Sequence, residues 1–289
     1  MKYALAALFA LSSFAHPGVA SAETTQCHNI TSLPATLSSQ GVYCLKQDLS
    51  TSQSSGSAIE IRTNNVTIDC NGHKLGGLAA GDATEAIGIY AFDRNNITLR
   101  NCQLRGFSIG ILLSSDGFEG ATPPSGHMVE HNRIDNSTRS GIIISADGSM
   151  VRDNVVADTG GNPLGESVIG IEAHYGTDIV GNTVDGVFDS SADPKQVYGI
   201  INWDGSGNVI SGNRIRGLSS ASGSNGIVLT IGSERVSVRD NAIANGEGSG
   251  YGIHCIAAND IATGNHVGGF DQGVAGCLPL EGSGNVVVP

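Results

Sequence analysis

Three short motifs place charged side chains at the same offset behind an asparagine. Asn132-Arg133-Ile134-Asp135, Asn182-Thr183-Val184-Asp185 and Asn213-Arg214-Ile215-Arg216 each alternate polar and apolar residues. A period of two is that of a strand with one face buried, so Arg133, Asp135, Thr183, Asp185, Arg214 and Arg216 should point outward together. A fourth copy, Asn154-Val155-Val156-Ala157, interrupts the file, with Asp158 just beyond it. Arginine forks pair with carboxylates, so this face would grip a uronate sugar directly or through a bridging calcium ion. In a lyase an arginine beside other cations would act as proton acceptor, against its high intrinsic pKa. Two carboxylates one or two strand spacings apart would suit glycoside hydrolysis. Arg133, Asp135, Asp185, Arg214 and Arg216 are therefore the candidate catalytic set. The competing reading is a solvated sheet face closed by salt bridges. Lys195, with Asp189 and Asp193, falls on a polar stretch after the second of these strands and is a candidate substrate contact.

A different strand presents Glu60, Tyr90, Phe92, Leu112, Ile143, Glu172, His174, Ile201, Trp203, Val228 and His254 outward. That face is unusually apolar for one that meets water, as covered faces and sugar-stacking faces are. Its polar-aromatic cluster is Glu172, His174, Trp203 and Asp204, a second candidate binding set.

Both sets depend on a repeat. A glycine opens each unit at Gly88, Gly110, Gly141, Gly170, Gly199, Gly226, Gly252 and Gly273, at intervals of 21 to 31 residues. An asparagine recurs at Asn71, Asn132, Asn154, Asn182, Asn213, Asn241 and Asn265. Glycine to asparagine takes 12 to 15 residues in five of the six units that have both; the exception carries an expected inserted loop from Asp116 to Ser125. Each unit holds short strands and several corners, and none has room for a helix. Long loops are expected at Asp158 to Val168, Gly186 to Val197 and Leu218 to Asn225, where they would wall a cleft.

Stacked coils of a parallel β-helix repeat at one strand spacing, about 4.8 Å. Equivalent side chains then lie in files. A file of asparagines can hydrogen-bond to itself and to the corner backbone, which makes its burial tolerable. Ile59, Ile89, Ile111, Ile142, Ile171, Ile200, Ile227 and Ile253 would form an apolar file. On these residues the chain, from about 41 to 288, resembles the right-handed parallel β-helix repeat proteins, the broad group that includes pectate lyases, polygalacturonases and periplasmic copper-site maturation proteins. The resemblance implies an all-β, single-stranded right-handed parallel β-helix of about nine coils, with residues 23–57 as N-terminal cap and first coil and 58–289 as the helix proper. It implies little about chemistry, because the repeated residues are those that build the coil. The polygalacturonase motifs are absent: no Asn-Thr-Asp or adjacent Asp-Asp occurs, Gly126-His127 continues with Met128, and Arg214-Ile215 continues with Arg216.

Residues 1–22 read as a signal peptide: Lys2, a short apolar run, then Ala20-Ser21-Ala22 as cleavage site. That run is too short to span a bilayer, so a secreted or periplasmic protein is expected. The net charge of −12 disfavours nucleic acid as a partner. Six cysteines in an exported chain predict disulfides. Cys102 takes the place of a ladder asparagine and Cys70 lies in the previous coil, while Cys255 and Cys277 are 22 residues apart, close to one coil. The register therefore predicts Cys27–Cys44, Cys70–Cys102 and Cys255–Cys277. Sequons at Asn65 and Asn96 fall at the same turn of successive coils, where corner chemistry explains them better than glycosylation. Two functions follow: a polysaccharide-active, lyase-like enzyme using the Arg/Asp face, or a non-catalytic glycan-binding or structural cell-envelope solenoid using the Tyr90/Trp203 face. No cofactor is implied beyond calcium in its bridging role, and no metal site.

Overall fold

The computed structural model describes residues 25–115, 122–163, 165–246, 249–257, 259–278 and 283–288. The expected leader and most of the expected Asp116–Ser125 insertion lie outside the described residues. The described chain is all-β apart from one 3-10 turn, Leu78–Ala80. It winds as a parallel β-helix whose three faces are parallel sheets of ten strands each. Eight full turns run from Ser57–Ile61 to His266–Gly268, above a first turn made by Ala35–Leu37, Gly41–Cys44 and Leu49–Ser50. The strand that opens with glycine lies in the first sheet, the next strand in the second, and the strand after the asparagine in the third. No helix among the described residues is long and apolar enough to cross a membrane.

The interior is built from files. Ile59, Ile89, Ile111, Ile142, Ile171, Ile200, Ile227 and Ile253 are in register rung by rung and fully buried. At the corner between second and third sheets, Asn132, Asn154, Asn182, Asn213, Asn241, Asn265 and Asn285 form one ladder. Each Nδ2 donates to the next Oδ1 at 2.9–3.1 Å. The same oxygen also accepts the main-chain N–H of the asparagine below it. The second amide hydrogen goes to a carbonyl of the preceding coil, such as Val151 O for Asn182. One residue per coil thus satisfies the backbone of two.

The ladder begins at Cys102, whose N–H donates to Asn132 Oδ1 at 3.0 Å. Asn71 is not a rung, contrary to the sequence reading. Its coil turns through two extra corner residues, Asn71 sits there with φ 49°, and its Nδ2 donates back to Leu45 O. The residue before each rung is left-handed: Asn101, His131, Asp153, Gly181, Gly212, Asp240, Gly264 and Gly284. Only Gly, and with some enrichment Asn, Asp and His, adopt that conformation readily, which accounts for His131. Asn65 and Asn96 are left-handed as well, and Asn96 Nδ2 donates to Asn65 Oδ1 at 2.9 Å.

The repeated glycine has a steric cause. A Cβ on Gly199 would lie 2.5 Å from Ile215 Cγ2 and 2.7 Å from Gly226 O. A Cβ on Gly170 would lie 2.5 Å from both Val184 Cγ1 and Gly199 O. The first and third sheets pinch the interior there, and only a residue without a side chain passes.

Disulfides join Cys27 to Cys44, Cys70 to Cys102 and Cys255 to Cys277, with Cα–Cα distances of 5.8, 4.7 and 5.0 Å. A second buried file runs along the corner between first and second sheets: His127, Ser149, Thr177 and Asn208, then the apolar Val236, then Asp260. His127 Nδ1 accepts Ile97 N–H, Ser149 Oγ accepts His127 N–H, and Asp260 accepts Val236 N–H and Ser233 Oγ–H.

Candidate functional site

The third sheet presents the Arg/Asp file as two separate clusters. Register places Gln103, Arg133, Val155, Thr183, Arg214, Ala242 and His266 in one outward column. Arg105, Asp135, Ala157, Asp185, Arg216, Ala244 and Gly268 form the other. In the first cluster Asp135 lies between Arg133 Nε at 2.9 Å and Arg105 Nε at 3.1 Å. In the second, Arg216 Nε donates to Asp185 Oδ2 at 2.8 Å. The Val155/Ala157 rung separates them. Asp135 and Asp185 are two rungs apart, about 10 Å, and Arg133 and Arg214 three rungs apart, about 14 Å. Each aspartate is already engaged by arginine. Such a carboxylate orients guanidinium groups.

The strands of these coils are longer than expected, and the loops correspondingly shorter. Val155–Gly160, Thr183–Phe188 and Arg214–Ser219 run on through a left-handed residue, Asp158, Gly186 or Gly217. The kink turns the strand back toward the core, where Thr159, Val187 and Leu218 are buried. The loop that follows Phe188 is closed on itself. Asp189 accepts Ser191 N–H at 2.8 Å and Lys195 N–H at 2.6 Å. Burial opposes the charge on Asp189, but those main-chain donors outweigh it and hold the carboxyl below its ordinary range. The Lys195 ammonium pairs with Asp193.

The first sheet brings its four candidates together. Glu172 and His174 leave one strand on the same outer face, and Trp203 and Asp204 follow the next strand up. Trp203 Nε1 donates to Glu172 Oε1 at 3.0 Å, and His174 Nε2 lies 3.1 Å from the same oxygen. The indole stacks on the imidazole, with centroids 6.1 Å apart at 17°. On its other side His174 Nδ1 is 3.9 Å from Asp204 Oδ2. The indole is therefore fixed at one edge and backed by a ring, yet Trp203 remains 39% exposed. On the same sheet a patch of outward-facing Ile169, Ile201 and Val228 packs with Tyr198 into a small cluster outside the main core.

Aromatic residues continue up this face. Tyr251 and His254 stack with centroids 4.0 Å apart at 15°. Burial lowers the His254 pKa, favouring neutral imidazole, and raises that of the Tyr198 hydroxyl, which donates to Gln196 Oε1 at 2.7 Å. Tyr198 and Tyr251 are contacts that the sequence reading missed. Both stand immediately before an opening glycine, and that shared offset was the available signal. Among the described residues, no three His, Cys, Asp or Glu side chains converge on a position that could hold a metal ion.

No family model and no curated protein matches the chain. Solved structures do resemble it in winding. The DFA-IIIase of Arthrobacter chlorophenolicus A6 in complex with GF2 aligns with a TM-score of 0.46 at 14% identity, over 80% of this chain and 61% of that one. A tailspike protein of E. coli bacteriophage HK620 in complex with pentasaccharide gives 0.47 at 13%, over 83% and 46%. The A-module of a mannuronan C-5 epimerase from Azotobacter vinelandii gives 0.41 at 14%, over 88% and 83%. The chain thus spans about three-fifths of the length of that DFA-IIIase. Identities this low speak to winding and not to chemistry.

Proposed function

We propose that this is an exported glycan-binding β-helix whose working surface is the outer face of the first sheet, centred on Trp203. The observation that carries the reading is the fixed indole. Glu172 accepts from Trp203 Nε1, and His174 backs the ring, so the aromatic face is held in place before any ligand arrives. A sugar ring stacks its C–H face on an aromatic side chain, and a neighbouring carboxylate accepts its hydroxyls. Glu172 uses Oε1 for both protein contacts, which leaves Oε2 for that purpose. A preorganised platform also avoids the ordering cost that a mobile tryptophan would carry.

The charge of the face selects the class of glycan. Glu172 and Asp204 are acidic, and burial favours the neutral form of His254. A neutral glycan fits this surface, and a polyuronate would be repelled. Export is supported by three disulfides, which form and persist outside the cytosol, together with the signal-like N-terminus. The test is calorimetric titration against soluble neutral and acidic polysaccharides. Saturable binding of a neutral glycan, weakened at least tenfold in Trp203→Ala, supports the proposal. Binding confined to acidic glycans, or neutral-glycan binding unchanged in Trp203→Ala, overturns it.

A further inference from the structure

We propose that the third sheet carries a second ligand site, a groove beside Arg214 that takes one carboxylated sugar ring. Its position is set by side-chain size. Outward positions on this sheet carry Arg133, Asp135, Asp185, Arg214 and Arg216 along the rungs below. At the next rung they shrink to Ala242 and Ala244, and one rung further they are His266 and Gly268. The result is a depression of about 350 Å³, floored by these small residues and bounded by Arg214 and Arg216 on one side and His266, Val286 and Val288 on the other.

The two arginines on its border differ. Arg216 is engaged by Asp185, one rung back, at 2.8 Å. The Arg214 guanidinium has no hydrogen-bond or ion-pair partner among the described residues, in a chain with 27 acidic residues against 15 basic ones. A guanidinium fork pairs with a carboxylate through two parallel hydrogen bonds. His266 lies in the same column as Arg214 with Ala242 between them, about 10 Å away. That gap suits a ring with an anionic group at one end and a hydroxyl at the other. Val286 and Val288 offer an apolar wall to the C–H face of the ring, and Ala244 and Gly268 let it lie close to the backbone. This chemistry differs from that of the Trp203 face, which is acidic and lies on another sheet, so the two sites do not depend on each other.

The probes are trigalacturonate, its methyl ester (the same rings without charge) and poly-glutamate (the charge without rings), titrated into the full chain by calorimetry. Saturable binding of trigalacturonate is expected, with both controls at least tenfold weaker. Arg214→Ala should reduce affinity at least tenfold, and Ala244→Leu, which fills the floor, should do the same. Both substitutions are on the surface and should melt with the parent chain, while Trp203→Ala should bind trigalacturonate as the parent does. The proposal fails if the parent shows no saturable binding of trigalacturonate, if the methyl ester or poly-glutamate binds Trp203→Ala as tightly, or if Arg214→Ala keeps its affinity. None of those results bears on the neutral-glycan site, which is read with a different ligand.

Discussion

Replacing Asn182 by alanine tests the ladder at its middle. Asn182 Oδ1 accepts two hydrogen bonds from Asn154, one from the main-chain N–H and one from Nδ2, both at 3.0 Å. Its own amide donates to Val151 O at 2.9 Å and Asn213 Oδ1 at 3.1 Å. Alanine would strand both Asn154 donors, each buried, and take one donor from Val151 O. A buried donor left unsatisfied costs about 1–3 kcal/mol, so two give a loss of about 2–6 kcal/mol, centred near 4. The same change at Asn285, the half-buried last rung, lets water replace the lost acceptor and should cost about 1 kcal/mol or less. Guanidinium chloride unfolding of both variants beside the parent chain measures the contrast. Solenoids can unfold in segments, so circular dichroism should be paired with hydrogen exchange of the Val151 and Asn154 amides. Equal losses at the two positions, or a loss below about 1 kcal/mol at Asn182, would refute the claim that the ladder satisfies the buried corner.

The glycine file and the buried histidine make two further predictions. Gly199→Ala should destabilise by about 2–4 kcal/mol through overpacking against Ile215 and Gly226. Gly207→Ala meets nothing within 4 Å and should cost about 1–2 kcal/mol from its positive φ alone; the two melting curves decide. Burial lowers the His127 pKa from 6.5 to about 4. The unfolded chain therefore binds the proton first, so the stability held above pH 6.5 is lost as pH falls toward 4. The loss amounts to about 3 kcal/mol at 1.36 kcal/mol per pKa unit. Urea midpoints at pH 7 and 4.5 should differ less in His127→Gln than in the parent; an unchanged difference would contradict the assignment.

Much of the winding was legible in the sequence, because a solenoid repeats its solutions. The ladder asparagines and the isoleucine file each do one job at one position, so residue type and spacing were enough to find them. Cys102 was legible as a rung because it broke the asparagine file in register, and its disulfide followed. Other features left no repeating residue type. The second file uses His127, Ser149, Thr177, Asn208 and Asp260 for related backbone contacts, and five residue types make no pattern. Asn71 misled because an asparagine at a left-handed corner and one in a ladder look alike in one dimension. The third-sheet strands were read short because Asp158 looked like the start of a loop, whereas a left-handed residue there kinks a continuing strand. Of the two candidate sites, the first-sheet cluster was found by alternation across adjacent coils. The arginine file was also found, but its division into paired clusters depends on which side chains meet, and sequence does not carry that.

The central functional claim is that a neutral glycan stacks on Trp203. The chain contains one tryptophan, so its intrinsic emission reports on that indole alone. Titration of a panel of neutral oligosaccharides should give a saturable change in tryptophan emission for at least one member, with Glu172→Gln shifting the midpoint at least tenfold. A neutral glycan shown by calorimetry to bind while leaving the emission of Trp203 unaltered would contradict it.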